Sequence, residues 1–429
     1  MSNFWKREKV PLKAKETVIR PFLKANDEDP TNPKYYRPIA LLSTVRKVYE
    51  QIIKKRLQQV LEELNFFSKR QAAYRKGRST CDHLLVQQEL FFHYRFAKGK
   101  GQYNMKHPLY LCFLDLRKAF DTVIRKLLFA KLAAIGVNGT LYRAIEDLFT
   151  ATFATGRIGE YFSPKFEIET GVMQGSKLGP LLFLIFINDL FTEIESLGLG
   201  AKVGDLIITV LGFADDILLI ADTPEKLQKL IDVCGNWSVK NGMQFEISKR
   251  KIMTLNLRKP DVTFFLLGEK LDFVNEYKYI GITLSNKRQT SLITHHISAI
   301  LEKAGLRINS IRHLGFSCDG LRPATSISMY TRLVRPILEY ASQVLSYRHY
   351  YFTSKIKHDR DIANLDEHIE RLEAFQNRAL KKLIPCPKAT SPVLVRLFAG
   401  IMPISARLEI LKLRYYWYIS HMGNKNLAF

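Results

Sequence analysis

Two adjacent aspartates, Asp215 and Asp216, sit in the run FADDILLIA, with DLIITVLG just upstream. The flanking apolar segments read as two buried strands. Burial and mutual repulsion both work against a pair of like charges there unless a counter-charge is present. An acidic β-turn that reaches solvent is the plain reading of such a dipeptide. A cation held between carboxylates is the other, and it requires further acids elsewhere in the chain.

Of the 429 residues 47% are hydrophobic, enough for a large core and more than one compact lobe. The formal net charge of +24 favours a polyanionic partner, most often nucleic acid. It does not separate DNA from RNA, and an anionic membrane surface stays open. The charge is uneven. Residues 1–78 carry 19 basic against 8 acidic side chains, residues 79–281 carry 24 against 23, and residues 282–429 carry 22 against 10. Two basic ends suited to gripping a phosphate backbone thus flank a nearly neutral middle.

The five cysteines, Cys81, Cys112, Cys234, Cys318 and Cys386, are scattered and never form a C-x-x-C pair. That argues against a disulfide framework and a zinc site. The N-terminus MSNFWKREKV has no apolar signal core. The run LGPLLFLIFINDL is too short to span a bilayer and ends in Asn188–Asp189, so it reads as a buried helix opened by Pro180. The expectation is a soluble intracellular protein, nuclear in a eukaryote.

Residues 45–64, 122–137 and 223–242 have helical spacing, the last with Thr223 as cap and Gly242 as stop. Residues 157–170 alternate like a hairpin, and LYLCFLD at 109–115 is a short buried strand ending in an acid. Beyond about residue 290 the pattern is mostly helical, as in THHISAILEKAGLRINSI and EHIERLEAFQNRALKKL. The adjacent His295 and His296 lack ligand spacing and read as helix surface. The loosest stretches are 24–34, 97–108 and 346–361.

The acid that ends the 109–115 strand, Asp115, lies 100 positions before the aspartate pair. Two strands delivering three carboxylates to one end of a sheet would repel each other unless divalent cations neutralised them. Two Mg2+ ions would do so and would clamp the attacking and leaving oxygens of a phosphoryl transfer.

YLCFLDLRKAFDTV, GVMQGSKLGPLLF and FADDILL, in that order, resemble three core motifs of reverse transcriptases, most closely those of non-LTR (LINE-like) retrotransposons. YRPIALLSTVRKVYEQII and QAAYRKGRSTCDHLL are similar to the family's finger motifs. WSVKNGMQFEISKRKIM and VNEYKYIGITL are similar to its later palm motifs, and LVRPILEYASQVL and FQNRALKKL to its thumb and trailing region. The similarity runs from about Trp5 to about Trp417. It implies an α+β right-hand polymerase, with an N-terminal segment and fingers over 1–108, a palm over 109–285 and a helical thumb and C-terminal region over 286–429.

The resemblance also implies roles. Asp115 and Asp215 would bridge two Mg2+ ions (Mn2+ as an alternative), with Asp216 in support and the Leu116 carbonyl completing the shell. Phe120 would lie under the sugar of the incoming dNTP and exclude a 2′-hydroxyl. Arg75 and Lys76, with Arg78, would place cations on the triphosphate, Arg75 first because a guanidinium pairs bidentately with phosphate. Gln174 would bond to sugar or base, and Gly175 would let the backbone approach the template–nucleotide pair. Lys249 would sit near the triphosphate as a general acid, and a hairpin bearing Tyr279 and Gly281 would grip the primer. The chain departs from the family at Ala73–Tyr74 (usually glycine-phenylalanine), at Met173 and Lys177, and at Glu246–Ile247.

The expected activity is therefore RNA-directed DNA polymerisation, with RNA template, DNA primer and dNTPs as partners and no membrane. Neither an endonuclease nor an RNase H acid cluster is evident, so target nicking would come from elsewhere. An intron-type reverse transcriptase, an RNA-templated RNA polymerase and an inactive nucleic-acid scaffold derived from such an element are the alternatives. Retention of all three aspartates speaks against the scaffold.

Overall fold

The computed structural model describes residues 9–24, 29–96, 108–257, 261–286, 292–313, 322–345, 359–384, 386–387 and 389–421. Cys318, Trp5 and most of the stretches 97–108 and 346–361 lie outside the described residues. The chain divides into two compact units. One comprises Met1–Arg78 and Lys98–Phe273, the other Ser79–Ala97 and Val274–Phe429. The α+β class expected from the sequence is the class observed.

The first unit is organised by a five-stranded sheet whose centre is Leu109–Asp115. All seven residues of that strand are buried, as expected for an apolar run covered on both faces. Lys251–Leu255 and Asp216–Ala221 flank it, both antiparallel. Val210–Phe213 pairs with the outer side of Asp216–Ala221, and Asp272–Phe273 closes the opposite edge. Helix Gly179–Ser196 opens at Pro180, and every residue from Leu181 to Asn188 is buried. The run from Leu181 to Ile187 has no polar face and has to be enclosed, and it is part of the main core. Helix Pro224–Lys240 belongs to the same core. Thr223 caps it by accepting a hydrogen bond from the Lys226 amide, and Gly242, at φ +63, ends it.

Helical spacing over 122–137 contracts to Arg125–Ala134. At its start Asp121 and Thr122 are drawn into a turn that donates to the Lys118 carbonyl. Gly136, at φ +85, terminates it. A second sheet runs in the order Tyr36–Leu41, Thr17–Leu23, Phe153–Ile158 and Tyr161–Phe162, with Phe166–Glu167 also on Phe153–Ile158. The alternation over 157–170 does form a hairpin, with Arg157 opposite Phe162 and Ile158 opposite Tyr161.

One buried ion pair ties this second sheet's neighbourhood to the core helices. Ser43 caps helix Thr44–Glu63, and inside its first turns Arg46 (0% exposed) donates to Glu50 (1% exposed) at 2.8 Å. The guanidinium also donates to the carbonyls of Lys15 and Leu148. Glu50 in turn accepts from the Ser176 hydroxyl and the Lys177 amide, both at 2.8 Å. Every charge taken from water here is met by a partner, which is the condition under which such a pair persists.

The second unit is mostly helical, as expected beyond residue 290. It contains helices Thr80–Phe96, Leu292–His313, Pro323–Met329, Asp359–Leu383, Pro392–Ala399 and Ile404–His421. Ile300, Ile308, Leu338, Leu380 and Ile404 are among its core residues. Its strand pair, Glu276–Tyr279 with Ile282–Ser285, is the hairpin read from YKYIGITL. His296 is buried and faces the Tyr340 carbonyl at 3.0 Å, and His295 is half-buried with its Nε2 enclosed, so the two do not form helix surface as expected. Adjacent helical positions point about 100° apart, and the sequence pattern does not show which one is turned inward. Among the described residues no helix is long and apolar enough to cross a membrane.

Arg46→Ala leaves the Glu50 carboxylate buried without its counter-charge. Urea unfolding should show a loss of about 3–5 kcal/mol, whereas replacing both members by Met and Leu should cost far less. A single-variant loss below about 1 kcal/mol would mean that Glu50 finds another partner.

Candidate active site

Strand pairing determines which carboxylates meet. Antiparallel register sets Asp216 directly opposite Asp115, at the end of two strands that are otherwise apolar. Asp215 precedes Asp216 in a two-residue turn, Ala214–Asp215, closed by the Phe213–Asp216 pair. Burial, reinforced by a hydrogen bond to Asp115 and by the charges of Asp115 and Asp215, pushes the Asp216 carboxyl up to about 7. Burial and the Asp115 charge push Asp215 up to about 6. Both shifts have burial as their larger cause, and the mutual repulsion of the carboxylates adds to it.

Two cations act against this rise: the charge of Arg37 lowers the Asp215 carboxyl, and Lys249 makes the direct contact. The Lys249 ammonium donates to Asp115 Oδ2 at 2.5 Å. Burial opposes its charge, but the Asp115 hydrogen bond and the three carboxylates outweigh that and raise its pKa. Among the described residues no group of three or more His, Cys, Asp or Glu side chains has ready metal-ligand geometry. The donor chemistry nevertheless fits a hard divalent cation, because all three groups are carboxylates and their surplus charge calls for one. Leu116 adds to this fit. Its bridge to Phe245 is made by the flanking groups, Arg117 N–H to Gln244 O and Glu246 N–H to Asp115 O. The Leu116 carbonyl is therefore not used by that pairing.

Phe120 is half-buried. It stacks on Phe183, with centroids 4.8 Å apart, and meets the edge of Tyr74 at 6.3 Å. The Gln174 side-chain amide donates to both Asp121 carboxylate oxygens, at 3.1 and 3.2 Å, and the Gln174 main-chain carbonyl accepts from the Ala40 amide. Gly175 has φ +123, and a Cβ there would lie 2.4 Å from the Ala40 carbonyl oxygen. The glycine is thus required by the protein's own strand Tyr36–Leu41, a reason that the motif alone does not disclose.

Arg75 differs most from expectation. Its guanidinium donates to both Glu62 carboxylate oxygens and to the carbonyls of Ser68 and Gln71, and it lies over the Phe67 ring. A residue so engaged braces its loop, while its neighbour Lys76 is exposed. Tyr279, in the second unit, is 3% exposed, which places its ring in that unit's interior. Gly281, at φ +87, admits Tyr340: a Cβ would meet the Tyr340 ring at 2.9 Å, and the Tyr340 hydroxyl donates to the Ile280 carbonyl.

Several residues that sequence reasoning passed over stand beside these. Glu50 holds the loop after Gln174, Asp121 orients Gln174, and Tyr74 borders Phe120. Gln71, buried and just ahead of the basic loop, hydrogen-bonds to both polar groups of Ala214. A polar residue amid apolar ones, as in QAAY, was the available signal for Gln71. No local pattern announces the others.

Residues 23–284 match the profile of the family described as Reverse transcriptase (RNA-dependent DNA polymerase). The chain is 27% identical over 371 residues to a probable RNA-directed DNA polymerase from transposon BS of Drosophila melanogaster, covering 83% of this chain and 37% of that protein. It is 27% identical over 387 residues to the RNA-directed DNA polymerase from mobile element jockey of Drosophila funebris, covering 87% and 38%. The chain therefore spans less than two-fifths of the length of these curated relatives. A solved telomerase from Candida tropicalis, in complex with a fragment of telomeric RNA, aligns with a TM-score of 0.45 at 11% identity, covering 99% of this chain and 66% of that one.

Gly175→Ala should lower stability by about 1–3 kcal/mol from the backbone conformation alone, with the clash against Ala40 adding to it. Thermal unfolding measures this, and an unchanged melting temperature would show that the loop can withdraw from the strand.

Proposed function

The chain belongs to the reverse transcriptase (RNA-dependent DNA polymerase) family, and on that premise we propose that it extends a DNA primer on an RNA template, as an enzyme of the non-LTR retrotransposon type. The observation that carries the reading is the register of Asp216 against Asp115, with Asp215 in the adjoining turn. In this reading residues 1–108 supply the fingers, 109–285 the palm and 286–429 the thumb.

Asp115, Asp215 and Asp216, with the Leu116 carbonyl, would hold two divalent ions, Mg2+ or Mn2+. When bound, such ions neutralise charge as the primer 3′-hydroxyl attacks the α-phosphate of a dNTP and pyrophosphate leaves. The remaining work falls to the chain's own groups. Phe120, backed by Phe183, is suited to exclude a 2′-hydroxyl by bulk, which discriminates where apolar affinity would do so poorly. Gln174, oriented by Asp121, is suited to bond to sugar or base. Lys76 is exposed where the triphosphate is expected, and Arg75 keeps that loop in shape. Lys249, at the rim of the cluster, is suited to meet the charge of the leaving pyrophosphate. Tyr279 and Gly281 would shape the primer hairpin from within.

Primer extension on poly(rA)/oligo(dT) with Mg2+ tests the reading. Incorporation of dTTP far above UTP is expected, and no extension under conditions where the hybrid binds would overturn it. Asp215→Asn should reduce extension more than about 100-fold, since several kcal/mol of charge stabilisation are lost, while hybrid affinity stays within a few-fold. Retention of more than a few per cent of activity would remove Asp215 from the metal site.

Phe120→Val separates a steric gate from core packing. A gate predicts that the ratio of kcat/KM for dGTP over GTP falls by about 1–3 kcal/mol of discrimination. Packing alone predicts an unchanged ratio with a loss of stability, of up to about 3–5 kcal/mol for full truncation to alanine. Kinetics on one primer–template, with melting temperatures recorded alongside, distinguish the two.

A further inference from the structure

We propose that Gln71 is a positioning residue that holds the Asp215–Asp216 turn in its working shape, acting through the peptide groups of Ala214. The turn is strained. Ala214 has φ +59, the left-handed region, at the first position of a two-residue hairpin loop where glycine is the usual occupant. An alanine stays in that region only if its surroundings hold it there.

Gln71 supplies the hold. Its side-chain oxygen accepts from the Ala214 amide at 2.9 Å, and its side-chain nitrogen donates to the Ala214 carbonyl at 3.3 Å. One amide thus pairs with both polar groups of the strained residue, as a neighbouring strand would. The same oxygen accepts from the Ala73 amide at 3.0 Å, so the turn is also tied to the loop that carries Tyr74 and Arg75. Gln71 is 1% exposed. Its main chain is fixed against the strand before the turn, where the Ala72 amide donates to the Gly212 carbonyl and the Gly212 amide to the Arg70 carbonyl. Gly212 must lack a side chain, because a Cβ there would meet the Phe191 ring at 2.1 Å and the Gln71 amide nitrogen at 3.3 Å.

The residue type follows from this arrangement. An amide offers a donor and an acceptor side by side on a group that stays uncharged at every pH. A glutamate would place a second acceptor against the Ala214 carbonyl and one more negative charge beside the carboxylates. Without the clamp Ala214 relaxes toward negative φ, and the carboxylates of Asp215 and Asp216 leave their places opposite Asp115. Gln71 touches none of the reacting groups, so nucleic-acid affinity is independent of it. Its consequence for catalysis rests on the polymerase reading; its effect on the turn does not.

The test uses the full chain as wild type, Gln71→Met, Ala214→Gly and the double variant. Hydrogen exchange is followed over residues 210–217. Mn2+ affinity is measured by electron paramagnetic resonance with an RNA–DNA hybrid bound, alongside hybrid affinity, kcat and KM for dNTP. Gln71→Met should speed exchange in that segment, weaken Mn2+ binding and lower kcat by about 10–100-fold, the range typical of residues that orient ligands. Hybrid affinity and KM should change by no more than about twofold. Ala214→Gly in that background should recover much of the Mn2+ affinity and slow the exchange again, because glycine adopts the turn unaided. If Gln71→Met does not fold, Gln71→Leu, smaller but likewise without donor or acceptor, is read in the same way. Unchanged exchange and Mn2+ affinity would overturn the proposal. So would parallel losses of Mn2+ affinity, hybrid affinity and melting temperature that glycine does not restore, since these mark Gln71 as core packing only. A wild-type chain that neither binds Mn2+ nor extends a primer would defeat the polymerase reading, and the exchange contrast with its glycine rescue would then decide the clamp alone.

Discussion

The pairing of strand 216–221 with strand 109–115 sets the position of everything chemical in the first unit. It places like charges opposite each other, and hydrophobic burial holds them there. Ile217, Leu218, Leu219 and Ile220 are 0–1% exposed, and burying a side chain of this size contributes about 1.5–3 kcal/mol. Two carboxylates about 4 Å apart repel by roughly 4 kcal/mol at the effective dielectric of a protein surface. The packing wins, because both faces of these strands are covered and every one of these side chains leaves water in this pairing. The cluster's charge is thus imposed by the core, and burial, with the repulsion added to it, raises the Asp215 and Asp216 carboxyls.

Around this corner the same device recurs: a buried polar side chain pairs with the backbone of a loop that bears a functional group. Glu50, paired with Arg46, accepts from the Lys177 amide and the Ser176 hydroxyl just past Gln174. Arg75 accommodates the carbonyls of Ser68 and Gln71. Gln71 spans Ala214. Each is enclosed, so each bond is worth more than it would be in water, and leaving any of these groups unpaired would be expensive. Loops built this way behave as extensions of the core.

Much of the first unit was legible before any coordinates. The 109–115 strand, the helix with an apolar first half opened by Pro180, the Thr223 cap and a hairpin within 157–170 follow from periodicity and from end signals that act over a few residues. The aspartates were legible because a charged pair between buried strands is costly without a purpose. The engagement of Arg75 with Glu62 was not legible, because a guanidinium suits an internal carboxylate as well as a phosphate and Glu62 lies outside the motif. The glycines were legible as glycines but not by cause. Gly175 and Gly281 make room for Ala40 and Tyr340, residues far away in sequence. Likewise, the period of the helix Leu292–His313 does not distinguish His295 from His296, and only the packing turns His296 inward.

By itself, then, the sequence determined the elements, the two basic flanks and the identity of the acids, because these depend on local pattern, composition and residue chemistry. Tertiary structure decided the rest: that Asp216 faces Asp115, that Lys249 answers their charge, and that Gln71 reaches Ala214 from 143 residues away in sequence. These are relations between distant segments, fixed by register and packing. A linear pattern carries the preferences of each partner but not the distance between them.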